Sequence, residues 1–364
     1  MTSTDSAAGN LIVVVPGLAT TIQDAGRPGW QRFGVPVSGA LDRIAHAAAN
    51  IVVGNSPDTA AIECLYAGCT LSVGTIPVRC AAAGAGASLD IELPGAEQIR
   101  RVPALESFTA PPGSRISLRL GGPSISAYLA IEGGIATPPV LGSRSTYVRA
   151  GLGGIDGRRL AEGDAIPCAS PESPASTHRR EMRVPHLDLA PPQSVRVVLG
   201  PQDDRFTADA IATLSSATYA VATASDRMGL RLEGAPLEHT DGADILSDGI
   251  APGAIQVPGS GLPIIMLADR QTTGGYTKIA TVISSDVPAL GRIGPGTKIR
   301  FEVIDVETAE AAARQLAATI SAWPRLLQPV ASHLADIERA LRERNLVSGV
   351  IDAASPFDQP SQSR

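Results

Sequence analysis

The stretch that decides the fold lies near the start of the chain and reads LIVVVPGLATTIQDAGRPG, residues 11–29. Its first five residues form a short apolar run, which predicts a buried strand, and Pro16–Gly17 predicts the turn that ends it. A loop rich in glycine and proline follows, from Gln23 to Gly39. Apolar residues then recur at helical spacing from Leu41 to Val52, so one helix is predicted beside the first strand.

Short strand-like runs dominate the chain beyond this stretch. They lie at residues 69–73, 78–82, 88–93, 114–120, 126–131, 195–199, 229–232, 264–268, 279–284 and 298–304. Glycine (37) and proline (29) together make up about 18% of the 364 residues, against an ordinary level of about 12%. Many turns between short strands explain this excess, so a mainly β fold with a few helices is predicted.

Composition divides the chain into five segments. The segment 167–193 holds six prolines, which lack the backbone donor, so it is predicted to be an interdomain linker that does not pair as regular strand. Helical spacing after the second β-rich segment predicts helices at 306–322, ending at Pro324, and at 331–347. The predicted segments are a β-rich unit at 11–166, the linker at 167–193, a second β-rich unit at 194–305, a helical extension at 306–347 and a disordered tail at 348–364.

Charge and composition exclude several classes of function. The net charge of −6 disfavours nucleic acid and anionic membranes as partners. No run of about 18 apolar residues predicts a membrane span, and the first ten residues do not have the pattern of a secretory signal. The four cysteines show no CxxC spacing and are predicted to be reduced and buried, as expected for a cytoplasmic protein.

Familiar catalytic motifs are missing from the sequence. It contains no HExxH spacing, so no metal site is predicted, and no GxxxxGK[ST] loop for phosphates. The glycines at 151–154 match a dinucleotide fingerprint poorly, and there is no GxSxG nucleophile motif. A familiar stand-alone hydrolase site is therefore not expected.

One polar stretch, DRQTTGGYTK at residues 269–278, follows an apolar strand and should emerge at the end of that strand. Its adjacent glycines allow close approach of a ligand to the backbone. Gln271, Thr272 and Thr273 offer hydrogen bonds to an amide or carboxylate, and Tyr276 and Lys278 are candidate donors to an oxyanion. The alternative is a surface hairpin whose polar residues are only solvated.

Lys278 stands out because the chain has only one other lysine, Lys298; its other 28 basic residues are arginines. A GC-rich genome explains that bias in general. A lysine kept inside a polar stretch is still a candidate for a specific contact, since ammonium and guanidinium differ in geometry.

Three further groups are candidates, at residues 23–29, 225–229 and 253–258. The neighbours Asp226 and Arg227 are interpreted first as structural, each with a partner across a barrel end. Gln256, among apolar residues, needs a partner for its amide, either inside the fold or on a ligand.

These segments, taken together, strongly resemble the carboxyltransferase subdomain A/B family. Its members include KipA-like proteins, 5-oxoprolinase components, urea amidolyase-related chains and proteins once labelled allophanate hydrolase subunit 2. The resemblance covers about residues 11–305. It rests on residues 16–29, 34–36, 39–42, 49–50, 53–55, 141–146, 225–229, 253–258 and 269–278.

The resemblance implies that each β-rich unit is a cyclophilin-like β-barrel. It implies one component of an amide-processing enzyme that acts with a KipI-like partner (carboxyltransferase subdomain C/D) and a possible LamB-type partner. The leading activity is ATP-dependent opening of 5-oxoproline to glutamate. ATP would bind within the complex, either on this chain or on another subunit. The alternatives are transfer of CO2 from carboxybiotin to urea or a related amide, with biotin on a separate carrier, and a non-catalytic regulatory role.

The candidate site residues follow from these segments and from amide chemistry. Carbonyl activation needs an oxyanion donor, and deprotonation of nitrogen needs a base. The candidate catalytic residues are Lys278, Tyr276, Asp269 and Asp226, with Asp269 or Asp226 as the base if desolvation raises its pKa. The candidate substrate-binding residues are Gln23, Asp24, Arg27, Arg227, Gln256, Gln271, Thr272, Thr273, Gly274 and Gly275.

Overall fold

The computed structural model describes residues 10–169, 180–184 and 187–330. The helix predicted at 331–347 and the tail predicted at 348–364 lie outside these residues. Within them the chain is mostly β, which confirms the predicted fold class.

The first half of the chain folds into two sheets that enclose one core. Its strands are β1 (Asn10–Val15), β2 (Ala19–Gln23), β3 (Ala61–Leu65), β4 (Thr70–Val73), β5 (Val78–Ala83), β6 (Ser88–Glu92), β7 (Ile99–Pro103), β8 (Ser107–Ala110), β9 (Arg115–Arg119), β10 (Ser126–Ile131) and β11 (Ala165–Pro167). The strand orders are β11-β1-β4-β9-β6-β7 and β2-β3-β10-β5-β8. Leu11 and Leu71 from one sheet meet Ile22 and Leu129 from the other in this core.

Helix α1 (Arg43–Val52) begins where Asp42 caps it, since the Asp42 carboxylate accepts hydrogen bonds from the backbone N–H groups of Ile44 and Ala45 at 3.1 Å. The helix predicted from Leu41 thus begins slightly later in the structure, after this cap. Its alanine-rich inner face packs on the five-stranded sheet.

The proline-rich segment takes part in strand pairing, which corrects the prediction that it would not. Pro167 ends β11 opposite Asn10, and β12 (Met182–Arg183) pairs with Gln328–Pro329 near the end of the described chain. The pairing is possible because Met182 and Arg183 keep their backbone donors, and Pro167 stands at the end of its strand.

The second half forms a closed barrel of seven strands. Its elements are β13 (Ser194–Leu199), α2 (Ala208–Ser216), β14 (Tyr219–Val221), β15 (Gly229–Glu233), β16 (Asp244–Gly249), β17 (Ala254–Gln256), β18 (Ile264–Met266), β19 (Thr273–Tyr276), β20 (Lys278–Val282), α3 (Val287–Leu290) and β21 (Lys298–Val303). The barrel order is β13-β20-β17-β18-β15-β14-β21, closed by parallel pairing of β13 with β21.

Strands β16 and β19 pair only with each other and form a two-stranded ribbon outside the barrel. We call this pair the ribbon. Almost all of β16 is solvent-exposed, and Leu246 is 94% exposed. The polar stretch at 269–278 thus supplies one strand of the ribbon and the first residue of barrel strand β20.

Helix α4 (Val306–Leu326) follows the barrel, and β22 (Gln328–Pro329) follows α4. Asp305 caps α4 by accepting a hydrogen bond from Thr308 N at 2.7 Å. Trp323, 3% exposed, packs into the core around α1. The helix continues past the predicted stop at Pro324, because a proline in the last turn removes few hydrogen bonds. No helix in the described part of the chain is long and apolar enough to cross a membrane.

Candidate functional site

Four of the predicted site residues line one cleft of about 610 Å³ at the side of the barrel. Asp226 precedes β15, Gln256 ends β17, Gln271 lies between β18 and β19, and Tyr276 ends β19. Arg149 and Arg231 also line this cleft. Residues that are distant in sequence meet here because the ends of β15, β17 and β18 are neighbours in the closed barrel.

Gln256 forms the floor of the cleft and is 2% exposed. Its Oε1 accepts a hydrogen bond of 3.4 Å from Gln271 Nε2, whereas its buried Nε2 has no partner among the described residues. A Cβ atom at Gly274 would lie 2.9 Å from this nitrogen, so the absence of a side chain there allows the ribbon to close on Gln256. The cleft therefore contains an amide donor that the fold leaves unsatisfied.

Tyr276 and Asp226 lie nearer to solvent. Tyr276 is 42% exposed, which leaves its hydroxyl accessible to a ligand. The Asp226 side chain is 54% exposed, accepts hydrogen bonds from Met228 N (2.8 Å) and Gly229 N (3.3 Å), and lies 3.4 Å from Arg149 Nη2. Its carboxylate thus closes a turn and is solvated, so the structure does not provide the burial on which the predicted base role of Asp226 depends.

Lys278 does not line the cleft. It is 3% exposed, and its Nζ donates hydrogen bonds to Asp248 Oδ2 at 2.6 Å and Gly249 O at 3.4 Å, both at the end of β16. Hydrogen bonding to Lys278, with a smaller contribution from Gly249 N–H, holds the pKa of the Asp248 carboxyl below its usual value. Lys278 therefore ties the ribbon to the barrel wall.

The remaining residues of the polar stretch belong to the ribbon or its entry. Thr272 O accepts a hydrogen bond from Ile250 N at 3.0 Å. Thr273 is exposed and pairs with Gly249, and Gly274 pairs with Asp248. Gly275, also in β19, brings the backbone close to Ile245 O. These residues shape the ribbon that covers Gln256.

Arg227 and Asp269 form a buried ion pair behind the cleft. Arg227 Nε lies 2.8 Å from Asp269 Oδ2, Arg227 Nη2 donates to Gly39 O at 2.7 Å, and Arg227 Nη1 pairs with Glu63 of β3. Burial alone would disfavour the charged guanidinium, but Asp269 and Glu63 outweigh it and raise the pKa of Arg227 above its ordinary value. Both residues are thus engaged in joining the two halves of the chain.

Gln23, Asp24 and Arg27 form a third cluster in the first half, and none of them lines the cleft. The Asp24 carboxylate accepts hydrogen bonds from Ser143 Oγ and Arg144 N, both at 2.6 Å. Arg27 donates to Ser145 O, and its burial lowers its pKa. Gln23 Nε2 donates to Thr146 O at 3.1 Å. These contacts fasten the loop after β2 to residues 143–146.

Sequence reasoning missed four residues that shape these clusters: Glu63, Arg149, Arg231 and Asp248. Asp248 lies in a run, residues 245–249, that has no strand-like alternation. Glu63 lies between apolar residues of β3. A carboxylate in such a position indicates that a cation is buried beside it, and this was the one signal in the sequence that could have pointed to the Glu63 ion pair. Among the described residues, no group of three or more His, Cys, Asp or Glu side chains is arranged to hold a metal ion.

Comparison with known proteins gives a family match and several similar relatives. Residues 33–303 match the family described as carboxyltransferase domain, subdomain A and B. The chain is 33% identical over 300 residues to the C subunit of the 5-oxoprolinase of Escherichia coli, covering 82% of this chain and 93% of that protein. It is 34% identical over 289 residues to the C subunit of the 5-oxoprolinase of Haemophilus influenzae, covering 79% and 89%.

A solved structure is similar as well. The crystal structure of the K. lactis urea amidolyase superposes with a TM-score of 0.77 at 28% identity. The match covers 86% of this chain and 20% of the urea amidolyase, so the chain spans one fifth of that protein.

Proposed function

Because the chain belongs to the carboxyltransferase domain family, subdomains A and B, we propose that it is a subunit of a multi-subunit enzyme that opens 5-oxoproline to glutamate at the expense of ATP. One observation favours 5-oxoproline opening over the urea amidolyase reaction within this family. The chain matches 93% of the length of the E. coli 5-oxoprolinase component, but only 20% of the length of the K. lactis urea amidolyase. Similarity to nearly the whole of the E. coli component favours the same role for this chain.

The cleft fits a small lactam. In this proposal the buried Nε2 of Gln256 donates to the lactam carbonyl once the ribbon shifts, and Gln271 orients the Gln256 amide through its hydrogen bond. The exposed hydroxyl of Tyr276 is placed to donate to the oxygen as negative charge develops on it. With ATP supplying a phosphoryl group that activates the carbonyl oxygen and is released as phosphate, leaving ADP, addition of water at the carbonyl carbon breaks the ring C–N bond, and the ring nitrogen takes up a proton as the amine of glutamate.

The sequence has no GxxxxGK[ST] phosphate loop, so we propose that ATP is bound outside the lactam cleft. Phosphate recognition needs free cations or a cradle of backbone N–H groups, but the buried lysine, Lys278, is already paired with Asp248. Asp226 adds negative charge at the cleft, beside Arg149. We therefore assign ATP to another component of the complex, with a KipI-like protein as direct partner and a LamB-type protein as the third component.

Reconstitution tests this function. We expect the chain co-expressed with a KipI-like partner to elute from size-exclusion chromatography as one species at the summed mass or a multiple of it. With the LamB-type component added, this complex should convert 5-oxoproline to glutamate only when ATP is present, and leaving out this chain should abolish glutamate formation. Two separate elution peaks at micromolar concentration, or full activity without this chain, would contradict the proposal.

Carboxyl transfer to an amide is the second candidate, favoured by the structural similarity to urea amidolyase. Neither lysine of this chain follows a methionine, so biotin would have to be attached to a separate carrier protein. Avidin distinguishes the two reactions: it should leave 5-oxoproline opening unchanged, and it would block a transfer that depends on carrier-bound biotin. A non-catalytic regulatory protein would bind the partner without being required for glutamate formation.

Gln256→Leu is expected to separate stability from function. Leucine has a similar size and removes a buried donor that has no partner among the described residues, so the free energy of unfolding should stay equal or rise by about 1 kcal/mol. The same change removes the proposed donor to the lactam carbonyl, so kcat/KM of the complex should fall by about tenfold or more. Urea unfolding and the glutamate assay measure the two effects, and unchanged kcat/KM would remove Gln256 from substrate binding.

A further inference from the structure

A second, larger cavity lies on the other side of the polar stretch. It measures about 860 Å³ and is enclosed by the loop that precedes α1, by barrel strands β13 and β20, and by α3 and α4. We call it the α4 cavity. Its walls are mainly apolar, with contributions from Val37, Leu41, Val198, Leu267, Val282 and Val287. None of the cleft residues discussed above lines it, so it is distinct from the proposed lactam site.

Arg270 is the one buried cation among the described residues that line this cavity. It is 5% exposed, and it donates from Nε to Ile250 O at 3.0 Å and from Nη1 to Leu267 O at 3.2 Å. No described residue accepts a hydrogen bond from its Nη2, and no described carboxylate lies within 4.0 Å of it. Burial, together with the like charge of Arg43, lowers the pKa of Arg270 to about 10.

The other buried arginines of the described chain have anionic neighbours. Arg79 lies 3.2 Å from Glu181, and Arg292 lies 2.6 Å from Asp42. Arg27 has no described carboxylate within 4.0 Å, but the charges of Asp24 and Asp269 act on it and favour its charged form, whereas the one charge that acts on Arg270 is the like charge of Arg43. Burying a guanidinium without a carboxylate is costly, because the charge loses its hydration without compensation. The environment of Arg270 is therefore that of a cation whose counter-ion belongs to a bound ligand and not to the protein.

Ser38 adds a second unsatisfied group to the same cavity. It is 2% exposed, and its Oγ has no partner among the described residues. Its φ of +56° lies in the left-handed region, which a serine adopts at a cost in strain. The Ser38 N–H donates to Ala268 O at 3.1 Å, so the strained loop is fastened close to Arg270.

We propose that the α4 cavity binds a small amphipathic carboxylate, with its carboxylate at Arg270 and Ser38 and its apolar body against the valine and leucine side chains of the walls. The planar guanidinium matches a carboxylate, and the serine hydroxyl adds a donor. Asp58 and Glu310 also line the cavity, but both are exposed and belong to its rim together with Arg43. The anionic end of the ligand therefore lies at the inner arginine, away from the rim.

Helix α4 supplies one wall of this site through Val306, Ala309 and Ala313. The family match ends at residue 303, before α4 begins at Val306. Ser38 and Arg270 lie inside the matched range, so α4 adds a wall to a cavity that the two β-rich halves largely form. Binding in this cavity does not depend on the proposed lactam reaction.

Isothermal titration of the isolated full-length chain with octanoate tests the proposal without an activity assay. We expect one octanoate per chain, at least about tenfold weaker binding for Arg270→Gln, and similarly weaker binding of 1-octanol, which lacks the charge. Ala309→Trp fills the cavity from a half-buried helix position and should abolish binding in a folded protein. Arg314→Gln, an exposed α4 arginine that does not line the cavity, is the matched control and should bind octanoate like the unchanged chain.

Three results would overturn the proposal. The first is no saturable binding of octanoate up to its solubility limit. The second is binding that survives both Arg270→Gln and Ala309→Trp. The third is displacement of octanoate by 5-oxoproline, which would make this cavity the substrate site instead of a second ligand site. If the lactam reaction is absent but octanoate binds as expected, only the proposed function fails.

Discussion

Replacing Arg227 with methionine is expected to destabilise the protein by about 3–5 kcal/mol, the cost of breaking a buried ion pair by removing one partner. Glu63 is fully buried and Asp269 is 6% exposed, so the substitution leaves two carboxylates buried without their cation. Methionine fills much of the space of the arginine stem, so the loss reports mainly the uncompensated charges.

The effect should be large because the pair belongs to a network that crosses between the two halves of the chain. Glu63 Oε2 also accepts hydrogen bonds from Leu41 N at 2.9 Å and from Tyr128 Oη at 2.7 Å. Desolvation, with the nearby charges of Glu63 and Asp42, raises the pKa of the Tyr128 hydroxyl well above its usual value, which keeps it a donor. Arg292 then pairs with Asp42 at 2.6 Å, a second contact between the halves.

Urea unfolding followed by circular dichroism and by tryptophan fluorescence measures the Arg227→Met effect. Arg149→Met is the matched control, because Arg149 is 61% exposed and its pair with Asp226 is solvated. Such a pair contributes at most about 1 kcal/mol. A loss below about 1 kcal/mol for Arg227→Met would show that the network does not hold the halves together.

Local sequence pattern predicted the regular parts of this fold well. The strand-like run at 114–120 and the apolar run at 11–15 correspond to β9 and β1, because one face or both faces of these strands are buried. Strand β16 was not predicted, since nearly all of it is exposed and no burial imposes a pattern on it. The ribbon therefore depends on contacts that a local pattern does not encode.

The candidate site, like the fold, was predicted where local pattern was informative and missed where long-range contacts decide. Sequence reasoning selected Gln256, Gln271 and Tyr276 as polar residues near strand ends, and the structure places them in one cleft. It did not reveal that Lys278 pairs with Asp248 or that Arg227 pairs with Glu63, because these partners lie 30 and 164 positions apart. Long-range charge pairing is a property of the closed barrel and of its contact with the first half.

Lys278→Ala is expected to lower the activity of the reconstituted complex by about a hundredfold, the scale of a small misplacement of groups around a reacting centre. The structure supports a positioning role: Lys278 fixes the end of β16, β16 pairs with β19, and β19 carries Gly274 and Tyr276 over Gln256. Lys278→Arg should show a similar loss, because a planar guanidinium does not fit the buried space of an ammonium.

Asp248 distinguishes this role from direct donation to an oxyanion. If Lys278 acts by holding the ribbon, Asp248→Asn should cause a comparable loss, and the double substitution should cost little more than either single one. If Lys278 itself contacts the reacting oxygen, Asp248→Asn should retain most of the activity while Lys278→Ala does not. Lys298→Arg, at an exposed position of β21, is the control and should be nearly neutral.

The pH dependence of the ribbon gives an independent readout. Because Lys278 lowers the pKa of Asp248, the pair stabilises the ribbon above the ordinary carboxyl pKa, and this contribution disappears as the pH falls through the lowered pKa. Protection of the β16 and β19 amides from hydrogen exchange, corrected for the intrinsic pH dependence of exchange, should therefore exceed that of Lys278→Ala at neutral pH, and the difference should disappear at acid pH. Equal exchange in the two proteins at neutral pH, or full activity of Lys278→Arg, would show that the Lys278–Asp248 pair does not position the cleft.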